Sequence, residues 1–212
     1  MNEQDVRPAY QDSGNTDTRV RIVEAAIEAY REHAFHETTA AVVAERAGLT
    51  VADVVAHFPV WDGLVMAAVD RWNSQRMHTV SPLMATQGTV AFLRGIVAQN
   101  VADPALMRLL TALLNIAATP NHPMAPLLHH EWNKFHHLVM ASLQSDIREG
   151  REPESMEPAR GAEQLIALYE GLQMQSMVRP GMDLLEAYDR AITRLRAGWA
   201  HTYVAPVWDL AF

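Results

Sequence analysis

The 212-residue sequence predicts an all-α protein of about nine helices, a small three-helix unit followed by a larger helical bundle. Three observations predict it. Apolar residues recur at three- and four-residue spacing along almost the whole chain. Sustained period-two alternation is missing, as are Asn-Gly and Asp-Gly hairpin turns. Hydroxyl or carboxylate caps, glycines and prolines punctuate the periodic stretches at helical lengths.

Residues 1–16 are polar and mixed in charge, and are expected to form a disordered tail rather than a signal peptide or anchor. The first helix is predicted from about Asp17 to His33, with Val23, Ala26, Ile27 and Tyr30 on one face. A short second helix follows Thr39, turns Val43, Ala44 and Ala47 inward, and stops at Gly48. Thr50 caps the third, with Asp53 completing a capping box, and Pro59 limits its length. The fourth runs from Trp61 to about Val80 and breaks at "SPLMATQG"; the fifth spans Thr89 to Val101. Asp103 caps a sixth, with Pro104 at its first position. "HPMAPLLHHEWNKFHHLVMASLQSDIREG" is a long seventh helix ending at Gly150. After the charged linker "REPESMEP" come two final helices, about Pro158–Val178 and Asp183–Tyr203, on either side of Arg179-Pro180-Gly181. Residues 206–212 form a C-terminal tail.

The chemistry the chain can support is narrow. With no cysteine there is no disulfide, thiolate nucleophile or Cys-based zinc site. There is no paired-carboxylate signature and no glycine-rich phosphate loop, so neither an enzyme nor a cofactor is expected. "HHEWNKFHH" invites a metal reading. Yet His129/His136 and His130/His137 lie seven apart, about 10 Å along a helix, too far for one ion to take both members of a pair. No metal site is expected, and His136 is instead a polar group at the edge of an apolar face. No apolar run is long enough to span a bilayer, so the protein is expected in the cytoplasm and off the membrane. Net charge is −8 and Lys134 is the lone lysine, which disfavours non-specific nucleic-acid binding.

One stretch carries a resemblance. Thr38-Thr39, Val43-Ala44, Ala47-Gly48-Leu49, Thr50, His57-Phe58, Asp62 and Leu64 follow the order and spacing of a helix-turn-helix signature over roughly residues 19–64. In this the chain resembles the TetR family of ligand-responsive bacterial transcriptional regulators, and "AEQLIALYEGLQMQSMVRP" is similar to that family's penultimate helix. The resemblance implies a helix-turn-helix DNA-binding domain over 17–60 and a ligand-binding and dimerisation domain over 61–205. It implies operator contacts from Arg19, Arg21, Thr38, Thr39, Thr50, Val51, Ala52, Val55, His57 and Trp61. Two of these depart from the family: a phosphate-binding tyrosine is replaced by Val55, and a lysine opening the fourth helix by Trp61. Over residues 17–64, four arginines face eight carboxylates, a net charge of −4.

For the effector, soft or aromatic side chains on amphipathic helices are the candidates: Trp72, Phe92, Met107, Trp132, Phe135, His136, Tyr169 and Gln173. For a homodimer, Leu185, Tyr188, Ile192, Leu195 and Trp199 form a 3-4-3-4 seam, with Leu172 from the preceding helix. Two functions stay open. One is a homodimeric repressor released from operator DNA by a small molecule. The other is a dimer of this shape that has weakened or lost DNA binding and binds a small molecule or a protein.

Overall fold

The computed structural model describes residues 10–204, with side chains from residue 15 onward. Among them are nine helices and no strand: α1 (Tyr10–Glu32), α2 (Ala40–Ala47), α3 (Val51–His57), α4 (Trp61–Gln87), α5 (Thr89–Ala102), α6 (Ala105–Ala117), α7 (Ala125–Arg148), α8 (Pro158–Val178) and α9 (Leu184–Trp199). Most of the expected N-terminal tail, and the tail over 206–212, lie outside the described residues. Residues 10–16, however, are helical rather than disordered. Once the apolar face of α1 has nucleated the helix, extending it upstream requires only propagation, which polar residues support.

Two compact units emerge, and they divide the chain differently from a single cut at residue 60. The first comprises residues up to Met77 together with Asp103–Ala125; the second comprises His78–Ala102 and the chain from Pro126. In the first unit, α1 buries Ile22, Val23, Ala26, Ile27 and Tyr30, and the first half of α4 buries Leu64, Val65, Ala68, Val69 and Trp72. α6 belongs here because its start is tied to the end of α1. Asp103 accepts from Arg31 Nε and Nη2 at 3.1 and 2.9 Å and from Trp72 Nε1 at 3.2 Å, and Arg108 donates to the Arg31 carbonyl. Asp103 is therefore not the cap of α6; Pro104 takes that position without a side-chain hydrogen bond. Two guanidinium N–H groups and the Trp72 indole N–H engage the carboxylate in place of the backbone N–H groups of a local cap.

α4 does not break at "SPLMATQG" but runs through Pro82 to Gln87. Proline removes the donor that the His78 carbonyl would use and normally costs about 3 kcal/mol inside a helix. Packing on both sides of it holds the frame: a Cβ on Gly95 of α5 would lie 2.7 Å from Leu83 Cδ1 and 3.2 Å from Val80 Cγ1, so the two helices are in close approach. The stop is Gly88, at φ +90°. There the buried carboxylate of Asp146, on α7, accepts from the Thr89 backbone N–H at 2.8 Å and pairs with Arg151, capping α5 from 57 residues away. α9 ends at Trp199 rather than Tyr203, because the Ser155 hydroxyl donates to the Trp199 carbonyl at 2.6 Å in place of a helical N–H.

Candidate nucleic-acid interface and ligand site

The turn between α2 and α3 is built entirely from local chemistry. Thr39 is the N-cap of α2, its Oγ1 accepting the Val42 N–H at 3.4 Å. Gly48 takes the left-handed conformation (φ 63°, ψ 40°), its N–H bonding Glu45 O while Leu49 N–H reaches back to Ala44 O, a Schellman closure. Two residues later Thr50 caps α3. Its Oγ1 accepts Asp53 N–H at 3.1 Å, and Asp53 Oδ2 accepts both Thr50 N–H (2.9 Å) and the Thr50 hydroxyl (2.7 Å). The Thr50 hydroxyl hydrogen bond, then the backbone one, holds the Asp53 carboxyl below the usual aspartate range. Val43, Ala44, Val54 and Phe58 bury the inner faces of the pair.

The expected DNA contacts fare unevenly. Thr38 is buried and donates to Ala34 O at 3.2 Å, so it faces the core and not a groove. Thr50 has both its oxygen and its hydrogen committed to Asp53, whereas the exposed Thr39 hydroxyl accepts from Val42 N–H and keeps its hydrogen for another acceptor. Val51, Ala52 and Val55 are exposed; His57 and Trp61 are half-buried. His57 Nδ1 donates to Asp53 O at 2.8 Å. Arg19 donates to the His57 carbonyl at 2.7 Å and stacks its guanidinium 4.0 Å from the Phe58 ring, while Arg21 donates to the Ala47 carbonyl at 2.7 Å. Each arginine thus satisfies the C-terminal end of α3 or α2, with donors of its five left for another acceptor. The three glutamates of α1 are paired: Glu24 with Arg71, Glu28 with Arg31, and Glu32 with Arg46.

The eight expected ligand residues divide between the units. Trp72 and Met107 lie buried in the first, where Trp72 is held by Asp103 and by the Arg31 guanidinium 5.0 Å from its ring. The other six are in the second. Phe92, Tyr169 and Gln173 are buried there, with the Phe135 and Tyr169 rings 6.2 Å apart and tilted by 49°. Half-buried Trp132 donates to Glu170 at 2.9 Å, and half-buried His136 lies edge-on to His137. Asn100 of α5 was not singled out in the sequence, although it is a polar residue on the apolar stripe of Phe92, Leu93, Ile96 and Val97. It is buried and donates to Gln173 Oε1 at 2.7 Å and Tyr169 Oη at 3.2 Å. Gln173 Nε2 and Tyr188 Oη, both buried, have no partner. Burial, helped by nearby Asp189, pushes the Tyr188 phenol far up, so it is neutral at every relevant pH. Elsewhere in the second unit a recess of about 640 Å³, lined by Met156, Arg160, Gln164, Leu195, Trp199 and Tyr203 among others, touches none of the eight. Among the described residues no cluster of three metal-ligating side chains occurs.

The residues of the expected dimer seam divide between the interior of the second unit and its surface. Tyr188, Ile192 and Trp199 are buried within the second unit, packing α9 inward, and Arg94 clamps α5 to Asp189 through two bonds of 2.7 and 2.8 Å. Leu172, Leu185 and Leu195 are half-buried. On α8, exposed Ala167, Met174 and Val178 and half-buried Gly171 form an apolar stripe at 4-3-4 spacing. A single heptad pattern cannot tell an internal seam from an external one.

Residues 85–198 match the family model for the C-terminal region of BetI-type transcriptional repressors. The fold is shared by a transcriptional regulator from Rhodococcus sp. Rha1 (19% identity, 89% of this chain and 99% of that one, TM-score 0.69). It is also shared by the TetR-family repressor FadR of Thermus thermophilus bound to lauroyl-CoA (22%, 89% and 98%, 0.59) and by SmeT bound to triclosan (21%, 92% and 100%, 0.66). No curated protein sequence matches the chain.

Proposed function

The chain belongs to the TetR family of transcriptional regulators, a non-enzymatic class, and from that premise we propose a homodimeric cytoplasmic repressor that binds operator DNA through α2 and α3 and leaves it when a small molecule binds the C-terminal domain. The observation that carries this reading is the α2–Gly48–α3 pair, capped at both helix starts and presenting one side of α3 to solvent. The functional division is a DNA-binding region over 17–60 and a ligand-binding and dimerisation region over 61–205. Arg19 and Arg21 position the phosphates, joined by the Thr39 hydroxyl and the first turn of α4 at Trp61. Among the described residues no single helix is long and apolar enough to cross a membrane.

The effector meets Asn100, Tyr169 and Gln173, with Phe135 beside Tyr169. A buried amide nitrogen without a partner carries a desolvation penalty that a ligand acceptor relieves. FadR with lauroyl-CoA and SmeT with triclosan are relatives of this fold that take small molecules, which supports an effector here without naming it. The self-partner meets the stripe of Ala167, Gly171, Met174 and Val178, where an added Cβ on Gly171 would touch nothing within 4 Å.

Selection of genomic fragments by the purified protein, at low and at physiological salt, tests the reading. It predicts enrichment of an inverted repeat, and sedimentation as a dimer that Met174→Glu with Val178→Glu converts to folded monomer. Both side chains are at least half exposed, so the protomer core is untouched. The engagement of both arginines with backbone carbonyls favours the second reading, a dimer that has lost DNA. Absence of enrichment at either salt, with the dimer intact, establishes that one instead.

A further inference from the structure

The outward side of α3 is unusual for a helix placed to meet DNA. Val51 is 45% and Val55 49% exposed, Ala52 and Ala56 lie beside them, and Val60 just past the helix is 65% exposed. The two polar side chains of α3 are engaged elsewhere: the Asp53 carboxylate holds the Thr50 cap, and His57 bonds the Asp53 carbonyl. The side chains of its outward face, Val51, Ala52, Val55 and Ala56, carry no donor or acceptor for a base edge. In the major groove each base pair presents hydrogen-bonding groups and one apolar feature, the C5-methyl group of thymine.

Building on the operator reading above, we propose that α3 recognises its operator by packing Val51, Ala52, Val55 and Ala56 against pyrimidine C5-methyl groups, so that the methyl itself, not a hydrogen bond, distinguishes thymine from the other bases. The surrounding polar groups suit this. Arg19 and Arg21 sit at the C-terminal ends of α3 and α2, and the free Thr39 hydroxyl sits at the start of α2, so the groups that can hold phosphates flank the apolar face and leave its centre dry. An uncharged, methyl-lined face also lets α3 approach DNA within a region of net negative charge: its one carboxylate, Asp53, stays ionised but is held in the Thr50 cap by the Thr50 N–H and hydroxyl. Recognition of this kind accepts 5-methylcytosine, which carries the same methyl in the same place, and rejects uracil, which lacks it.

The test uses the full-length protein and duplexes selected from a random library, with each thymine of the enriched site then replaced by uracil. Loss of one buried methyl weakens binding about fourfold, and replacement at both symmetric positions about sixteenfold. At least two positions per half-site are expected to show this. Val55→Ala should flatten the uracil penalty at one of them while leaving the others, and a cytosine introduced at a sensitive position should bind better when methylated at C5. An enriched operator whose affinity changes less than 1.5-fold (roughly one tenth of the symmetric-pair effect) with every uracil overturns methyl recognition and leaves operator binding standing. Failure to enrich any DNA overturns both.

Discussion

Trp61→Lys restores a cation where the family carries one, at the first residue of α4, and its effect can be worked in advance. Arg19 and Arg21 of each subunit give four ionic contacts per dimer, so log K should fall against log salt with a slope of about −3.6. Two added lysines steepen that to about −5.4. Between 50 and 200 mM salt the wild type then loses roughly 150-fold in affinity and the variant roughly 2,000-fold. The half-buried indole also packs, so Trp61→Gln serves as the control: it loses the ring without gaining charge and should keep the wild-type slope. Fluorescence anisotropy on a labelled operator, titrated at five salt concentrations, reads all three proteins. Identical slopes for the lysine and glutamine variants would refute the placement of the α4 start on a phosphate. A wild-type slope steeper than about −6 would refute the assignment of only two arginines per subunit.

Tyr188→Phe removes a buried hydroxyl that has no partner, so melting should be unchanged or raised; a loss beyond about 1.5 kcal/mol in denaturant titration would mean that the hydroxyl is bonded. Gly88→Ala should be strongly destabilising, since φ is +90° and the new Cβ would lie 2.9 Å from Asp146 Oδ1, whereas Gly63→Ala, with open space around it in the first turn of α4, should be neutral or stabilising by about 0.5–1 kcal/mol; thermal melting of the two side by side distinguishes them. Because the Asp53 carboxyl is held below its ordinary value, the cap it forms contributes stability that is complete above pH of about 4 and is lost as pH falls through the depressed native value. NMR titration of that carboxyl, with amide exchange in α3 alongside, should show the helix loosening in the same window, and Asp53→Asn should remove the pH dependence.

The helix-turn-helix was legible because each of its signals acts over three or four residues: Thr39 on Val42, Gly48 on Glu45, Thr50 on Asp53. The errors fall where tertiary packing decides. Asp103 reads as a cap until Arg31, 72 residues away, claims it. Pro82 reads as a break until Val80 and Leu83 are seen against Gly95. Thr38 and Thr39 are adjacent and chemically identical, yet one bonds Ala34 in the core and the other faces solvent. On α9 the 3-4-3-4 spacing marks a face, but Tyr188, Ile192 and Trp199 are buried within the protomer while Leu185 and Leu195 stay half-buried, since periodicity gives a face and not its occupant. Of the ligand cluster, Tyr169 and Gln173 could be singled out on α8, while Asn100 became visible only with its partners.

The Asp146 carboxylate on the first turn of α5 has a bearing on how the chain matures. A cap supplied from 57 residues downstream is absent while the ribosome has delivered only α1 to α6, so at that stage α5 must fray at its start or bond to water. Closing that long loop waits for α7 to emerge, and the same carboxylate then gains Arg151 three residues past the helix end. The second unit is thus completed late in synthesis. A nascent chain truncated before residue 146 should leave the first turn of α5 open to protease, and one extended past Arg151 should protect that turn, while the rest of α5 waits for α8 and α9.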